Sequence, residues 1–166
     1  MRFKAVGPFL AALAFATAAA AEPIKISGTV QCAKPEVQQA IPTESDPGHL
    51  FSIYKVTCNW TKPLEIAGSQ SKNASSIGYD EIKGTSAKGQ GEHVTSLANG
   101  DKTFIRYQGS TTLKDGAPQT AAGTWNYTGG TGSVKGIKGK GTYKGKAGPD
   151  GSMIYEVEGD YEIPKK

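Results

Sequence analysis

Histidine, arginine and cysteine are scarce in this 166-residue chain, and their scarcity removes most enzyme templates at once. The two histidines, His49 and His93, form no His-Glu-x-x-His or comparable metal spacing. The two cysteines, Cys32 and Cys58, lie too far apart for the Cys-x-x-Cys of a redox pair. No Gly-x-Ser-x-Gly elbow is present, and the glycine-rich stretch does not fit the Gly-x-x-x-x-Gly-Lys-Ser/Thr of a phosphate loop. Beyond Glu22 no apolar run approaches the ~20 residues that a transmembrane helix needs. The sequence therefore points to no catalytic residue, no metal site, no cofactor and no transmembrane anchor.

What it does have begins at the N-terminus. Arg2 and Lys4 precede an apolar, alanine-rich run from Ala5 to Ala20, and Ala18-Ala19-Ala20-Ala21 then leads into Glu22-Pro23. A short basic head, a short apolar stretch and small residues before a polar boundary make a secretory signal peptide. Cleavage is predicted between Ala21 and Glu22, which leaves 22–166 as one domain, exported to the periplasm or the exterior. That domain carries 17 Lys and Arg against 15 Asp and Glu, a balance of +2. So small an excess argues against a nucleic-acid partner. In an exported chain Cys32 and Cys58 are expected to pair as a disulfide, worth roughly 3–4 kcal/mol by loop closure.

Alternation of apolar and polar residues dominates the rest. In Met153–Ile163, Met153, Tyr155, Val157, Tyr161 and Ile163 share one face with Gly159, while Glu156, Glu158, Asp160 and Glu162 share the other. Ile24, Ile26, Gly28 and Val30 alternate likewise with Lys25, Ser27 and Thr29. Further strands are predicted at 50–58, 77–83, 92–97, 102–108, 123–128 and 141–144. Asn99-Gly100-Asp101, Lys114-Asp115-Gly116 and Gly148-Pro149-Asp150-Gly151 supply turns between them. The stretches 33–49 and 61–76 lack the pattern, and each has room for a short helix or a cover over one end of a barrel. The prediction is an all-β fold, a single antiparallel sandwich or barrel with little helix. One conflict stands out. As simple hairpin partners, strands 24–32 and 50–58 would hold Cys32 and Cys58 roughly 25 Å apart at ~3.3 Å per residue. The disulfide thus requires that the two strands are not neighbours or that the chain doubles back after Ala33, and the second is expected.

The run Gly123-Thr124-Trp125, then Gly129-Gly130-Thr131-Gly132, then Lys135-Gly136-Ile137-Lys138-Gly139-Lys140-Gly141-Thr142-Tyr143 resembles a segment of small exported bacterial proteins. Those proteins are similar to the allene oxide cyclase and dirigent β-barrels. Asn99 to Lys102, Arg106 to Gly109 and Glu156 to Tyr161 match the same group, as do Asp46 to His49 and Cys58 to Gly68. The resemblance implies an antiparallel barrel of about eight strands with a small interior. It carries no catalytic residue over to this chain.

Candidate site residues follow from residue type. Arg106, the one arginine after the leader, would clamp a carboxylate if it faced a barrel interior, with Glu81 as an internal partner. His93 is a second polar candidate; Trp125 and Tyr127, which share a face, would floor an apolar site, with Trp60 and Tyr143 as further aromatics. Lys135, Lys138, Lys140, Lys144 and Lys146 form a basic cluster that the acidic row of the last strand would neutralise. The leading functional expectation is a non-catalytic binder of a small apolar or anionic molecule, or of an envelope component. The alternative is an isomerase or cyclase-like enzyme working in the barrel interior through Arg106, Glu81 or His93.

The leader reading has a direct check. Replacing Ala19 and Ala21 with bulky residues is expected to leave uncleaved precursor, visible as a heavier band on an immunoblot of membrane fractions. Normal processing at the same bond in that variant would remove the assignment.

Overall fold

A computed structural model of the chain describes residues 22–164, so the leader and its cleavage point lie outside the described residues. The strands are β1 (Ile24–Cys32), β2 (Val37–Pro42), β3 (His49–Lys62), β4 (Glu65–Ile66), β5 (Ser69–Lys83), β6 (Ser86–Leu97), β7 (Lys102–Lys114), β8 (Ala117–Gly130), β9 (Lys138–Ala147) and β10 (Met153–Glu162). Every pairing is antiparallel. The ring runs β1-β10-β9-β8-β7-β6-β5-β3 and returns to β1, which closes an eight-stranded barrel. β2 and β4 lie outside the ring. Among the described residues the only helical turns are two short 3-10 pieces, at 132–134 and 149–151. None is long and apolar enough to cross a membrane, a statement that does not bear on strands.

Cys32 and Cys58 are opposed residues of β1 and β3 and are bonded, with an S–S distance of 2.03 Å. The expected conflict resolves because the hairpin turn lies beyond the predicted strands. The extended chain continues past Cys32, with Ala33 N–H donating to Thr57 O and Glu36 N–H to Lys55 O, both at 2.9 Å. β2 then pairs with β3 from Val37/Lys55 to Pro42/Leu50, and only at 43–48 does the chain reverse. There Thr43 Oγ1 donates to Asp46 O, and Asp46 Oδ1 accepts from Gly48 N–H. Asp46 thus serves this turn. The stretch 33–49, expected to be irregular, holds a strand that is exposed at every residue and so shows no alternation.

Burial divides the barrel into two ends. At one, Leu64 and Ile66 fold inward from the β3–β5 connection, and Val134 and Ile137 fold inward from the glycine-rich β8–β9 connection. They pack on Ile26, Leu97, Trp125, Tyr127 and Tyr161 and plug that end. The Gly-Gly-Thr-Gly segment is therefore structural. Asp101 anchors it, accepting from Ser133 N–H at 2.9 Å and Ser133 Oγ at 2.6 Å. Among the described residues the other end, between the β5–β6, β7–β8 and β9–β10 turns, carries no comparable plug.

The C-terminal hairpin forms as predicted around 148–151, with Val157 opposite Tyr143 and packed against both the plug and a second buried group of Val30, Cys32, Cys58 and Ala74. Lys144 faces Glu156 and Lys140 faces Asp160, but Glu158 faces Thr142. Asp160 makes its ion pair with Lys25 of β1, at 2.9 Å. Since Val157 points inward and Glu158 outward, their substitutions should differ sharply. Val157→Asp is expected to cost about 3 kcal/mol or more by placing a charge among apolar groups. Glu158→Gln should change stability by less than about 0.5 kcal/mol. Two urea melts decide, and equal damage from both would mean that the faces are reversed.

Candidate functional site

Inward-pointing side chains do not fill the barrel between the plug and the open end. A cavity of about 270 Å³ remains, walled by Tyr54 and Val56 of β3, Asp80 and Ile82 of β5, His93 of β6, Tyr107 of β7, Tyr143 of β9 and Tyr155 of β10. Small residues opposite the large ones make this possible. A Cβ on Gly78 would come within 2.4 Å of the Tyr107 hydroxyl and 2.7 Å of the Tyr54 hydroxyl, so both rings lie over bare backbone. The carboxylate of Asp80 lies over Gly89, its register partner on β6, in the same way.

Four tyrosines converge there. The Tyr54 and Tyr107 hydroxyls are 3.0 Å apart and share one hydrogen bond, which leaves the other hydroxyl proton free. The rings of Tyr107 and Tyr143 stand at 84°, and those of Tyr143 and Tyr155 at 77°, with centroids 6.4 and 5.9 Å apart. Edge-to-face pairs of this kind hold aromatic side chains in place. Burial raises the pKa of all four phenols above the usual value, so they remain neutral donors at physiological pH. Asp80 receives no hydrogen bond from any described side chain or backbone group, and desolvation pushes its carboxyl up to about 6. No Lys, Arg or Glu lines the cavity among the described residues.

The residues expected from sequence are distributed differently. Arg106 faces outward with its side chain 71% exposed, and its nearest acid is Glu92 at 3.8 Å. It lies in a shallow external concavity of about 1220 Å³ where lysines and acids alternate around the barrel waist. The idea of an interior arginine clamp is corrected: β7 turns Thr103, Ile105 and Tyr107 inward, and Arg106 has the opposite parity. Glu81 is likewise on the outer face, held by Lys83 at 2.8 Å and His49 at 2.9 Å rather than by Arg106. The hydrogen bond from Lys83 is the main reason its carboxyl is held below the usual range.

His93 is interior, with Nδ1 2.6 Å from Ser76 Oγ and its ring edge-on to Trp60. Burial lowers its pKa to about 4, so it is neutral at pH 7. Trp125 and Tyr127 share a face, as expected, and stack edge to face at 5.1 Å. Both border the cavity from the plug side, and most of their surface is spent on the core. Tyr143 joins the cavity wall directly. Asp80, Tyr54 and Tyr107 are members that the sequence reading does not single out, and it names Tyr155 only as part of the apolar face of the last strand.

No model of a known protein family matches the chain, and no curated protein is similar to it. Fold and interior together define its class: a closed antiparallel β-barrel, plugged at one end, with an aromatic cavity that bears one carboxylate among the described residues.

The two buried titrating groups give opposite pH dependences. Asp80 has a raised value in the fold, so the folded state holds its proton more tightly and stability falls as pH rises from about 4 to about 6. His93 has a lowered value, so stability falls as pH drops from about 6.5 to about 4. Asp80→Asn is accordingly expected to stabilise the protein at pH 7 by about 1–2 kcal/mol, discounted for partial exposure, and to lose that gain by pH 4. His93→Gln should leave the Asp80 slope alone, making the variant more stable at pH 4 than at pH 6 relative to wild type. Thermal melts at pH 4, 6 and 7 test both signs.

Proposed function

We propose that this chain is an exported β-barrel that binds one small molecule in its interior and performs no chemistry on it. The observation that carries the reading is the cavity, where four phenols and one carboxylate converge on space that the core leaves free. Ligand sites are characteristically concave and mostly apolar, with a few placed polar groups. A volume of about 270 Å³ lies just under the ~300–1,000 Å³ of drug-sized sites, so the guest is small.

Export is supported by the leader-like N-terminus and by the Cys32–Cys58 bond, since disulfides persist in oxidising compartments. The kinship we favour is with the small exported bacterial barrels that resemble allene oxide cyclases and dirigent proteins. An eight-stranded antiparallel barrel is in keeping with it, although fold alone does not assign function.

Native mass spectrometry of protein purified from its own cell envelope or medium is the test. The expected result is a discrete mass increment on the folded protein that disappears on denaturation. A native mass equal to that of the bare chain, with no quenching of Trp60 or Trp125 fluorescence by small apolar probes, would overturn the reading.

A further inference from the structure

We propose that the interior is selective for a small organic cation, an alkylammonium group seated among Tyr54, Tyr107, Tyr143 and Tyr155 with Asp80 as its counter-charge. The inference rests on the small-molecule reading above and adds the chemical class of the guest.

Charge is the first argument. Asp80 is the one acidic residue on the cavity wall, and no lysine or arginine among the described residues faces it there. Nor does a hydrogen bond from the described residues compensate it. A partly buried carboxylate without a partner costs stability unless something positive arrives. The fold has not removed this cost: it keeps Gly89 bare beneath the carboxylate, where a side chain would collide with it.

Ring chemistry is the second. A cation is attracted to the negative face of an aromatic ring, and clusters of aromatics recognise quaternary ammonium groups through that attraction. The negative charge of Asp80 is felt by Tyr54, Tyr107, Tyr143 and Tyr155, which places all four phenols and the carboxylate around one space. Tyr107, Tyr143 and Tyr155 stand nearly perpendicular in succession, walling that space on more than one side. An anionic guest meets the opposite situation. It would find a like charge, and the arginine that might have received it points to the outer surface.

The groups bearing on Asp80 also determine the pH dependence. Tyr54 on β3, Tyr107 on β7, Tyr143 on β9 and Tyr155 on β10 stay neutral, and β6 opposes it with Gly89. His93, further along β6, is neutral above about pH 4. Cation affinity should therefore follow the Asp80 carboxyl alone, holding above about pH 6 and falling below it.

The probes are choline and its uncharged carbon isostere 3,3-dimethylbutan-1-ol, titrated by calorimetry at pH 7.5. Choline is expected to bind at least tenfold more tightly than the alcohol. The preference should vanish in Asp80→Asn and weaken at least threefold at pH 5 in the wild type. Because Asp80→Asn removes an uncompensated charge, it should fold and melt at or above the wild-type temperature. Asp80→Glu, which keeps the charge, should retain a preference for choline. Equal or tighter binding of the alcohol, or a choline preference that survives Asp80→Asn, overturns the cation assignment and leaves the small-molecule reading intact. Failure of both probes, together with a bare native mass, overturns both.

Discussion

Closure of the ring depends on the seam between β1 and β3. Their register holds only Thr29/Lys62, Val30/Trp60, Gln31/Asn59 and Cys32/Cys58, and it shifts between the first two of these pairs. Other neighbours in the ring pair over longer stretches. The disulfide lies at the last pair of this seam, with Cys58 wholly buried against Val30 and Ala74. Without the seam the sheet has two free edges and no inside. The cavity, its tyrosines and the plug all presuppose that these two strands stay together.

Glycine and tyrosine form a second dependency. Where large rings enter the barrel, the strands opposite carry hydrogen in place of a side chain, as Gly78 does beneath Tyr54 and Tyr107. This leaves room for aromatics without expanding the ring, and it concentrates them on one side of the plug. The glycine content that looks like low complexity in the sequence is therefore part of the packing. The lysines interleaved with those glycines on β9 have outward parity, and three of them, Lys138, Lys140 and Lys144, stand opposite acids of β10.

Much of this was legible before the structure. The C-terminal hairpin could be read from its alternation, and the all-β class from the density of turns. β2 could not be read, because Val37 to Pro42 bury nothing and so carry no pattern. The site was legible only in part. On β5, Ile77 and Tyr79 are apolar yet face outward, exposed at 57% and 47%, while Ser76, Gly78 and Asp80 face inward. Apolar parity there favours Glu81 over Asp80 as the interior acid, and it misleads. Tyr143 and Tyr155 belong to one hairpin, but Tyr54 of β3 reaches Tyr107 of β7 across the barrel only when the ring closes, which no local pattern encodes.

The opposed titrations of Asp80 and His93 also shape how the fold responds to acid. Between about pH 4 and 6 acid favours the fold through Asp80 and disfavours it through His93, so each group offsets part of the other's effect. Two groups of opposite sense, on the adjacent strands β5 and β6, let the chain keep a polar interior while its folding responds to mild acid less than either group alone would make it.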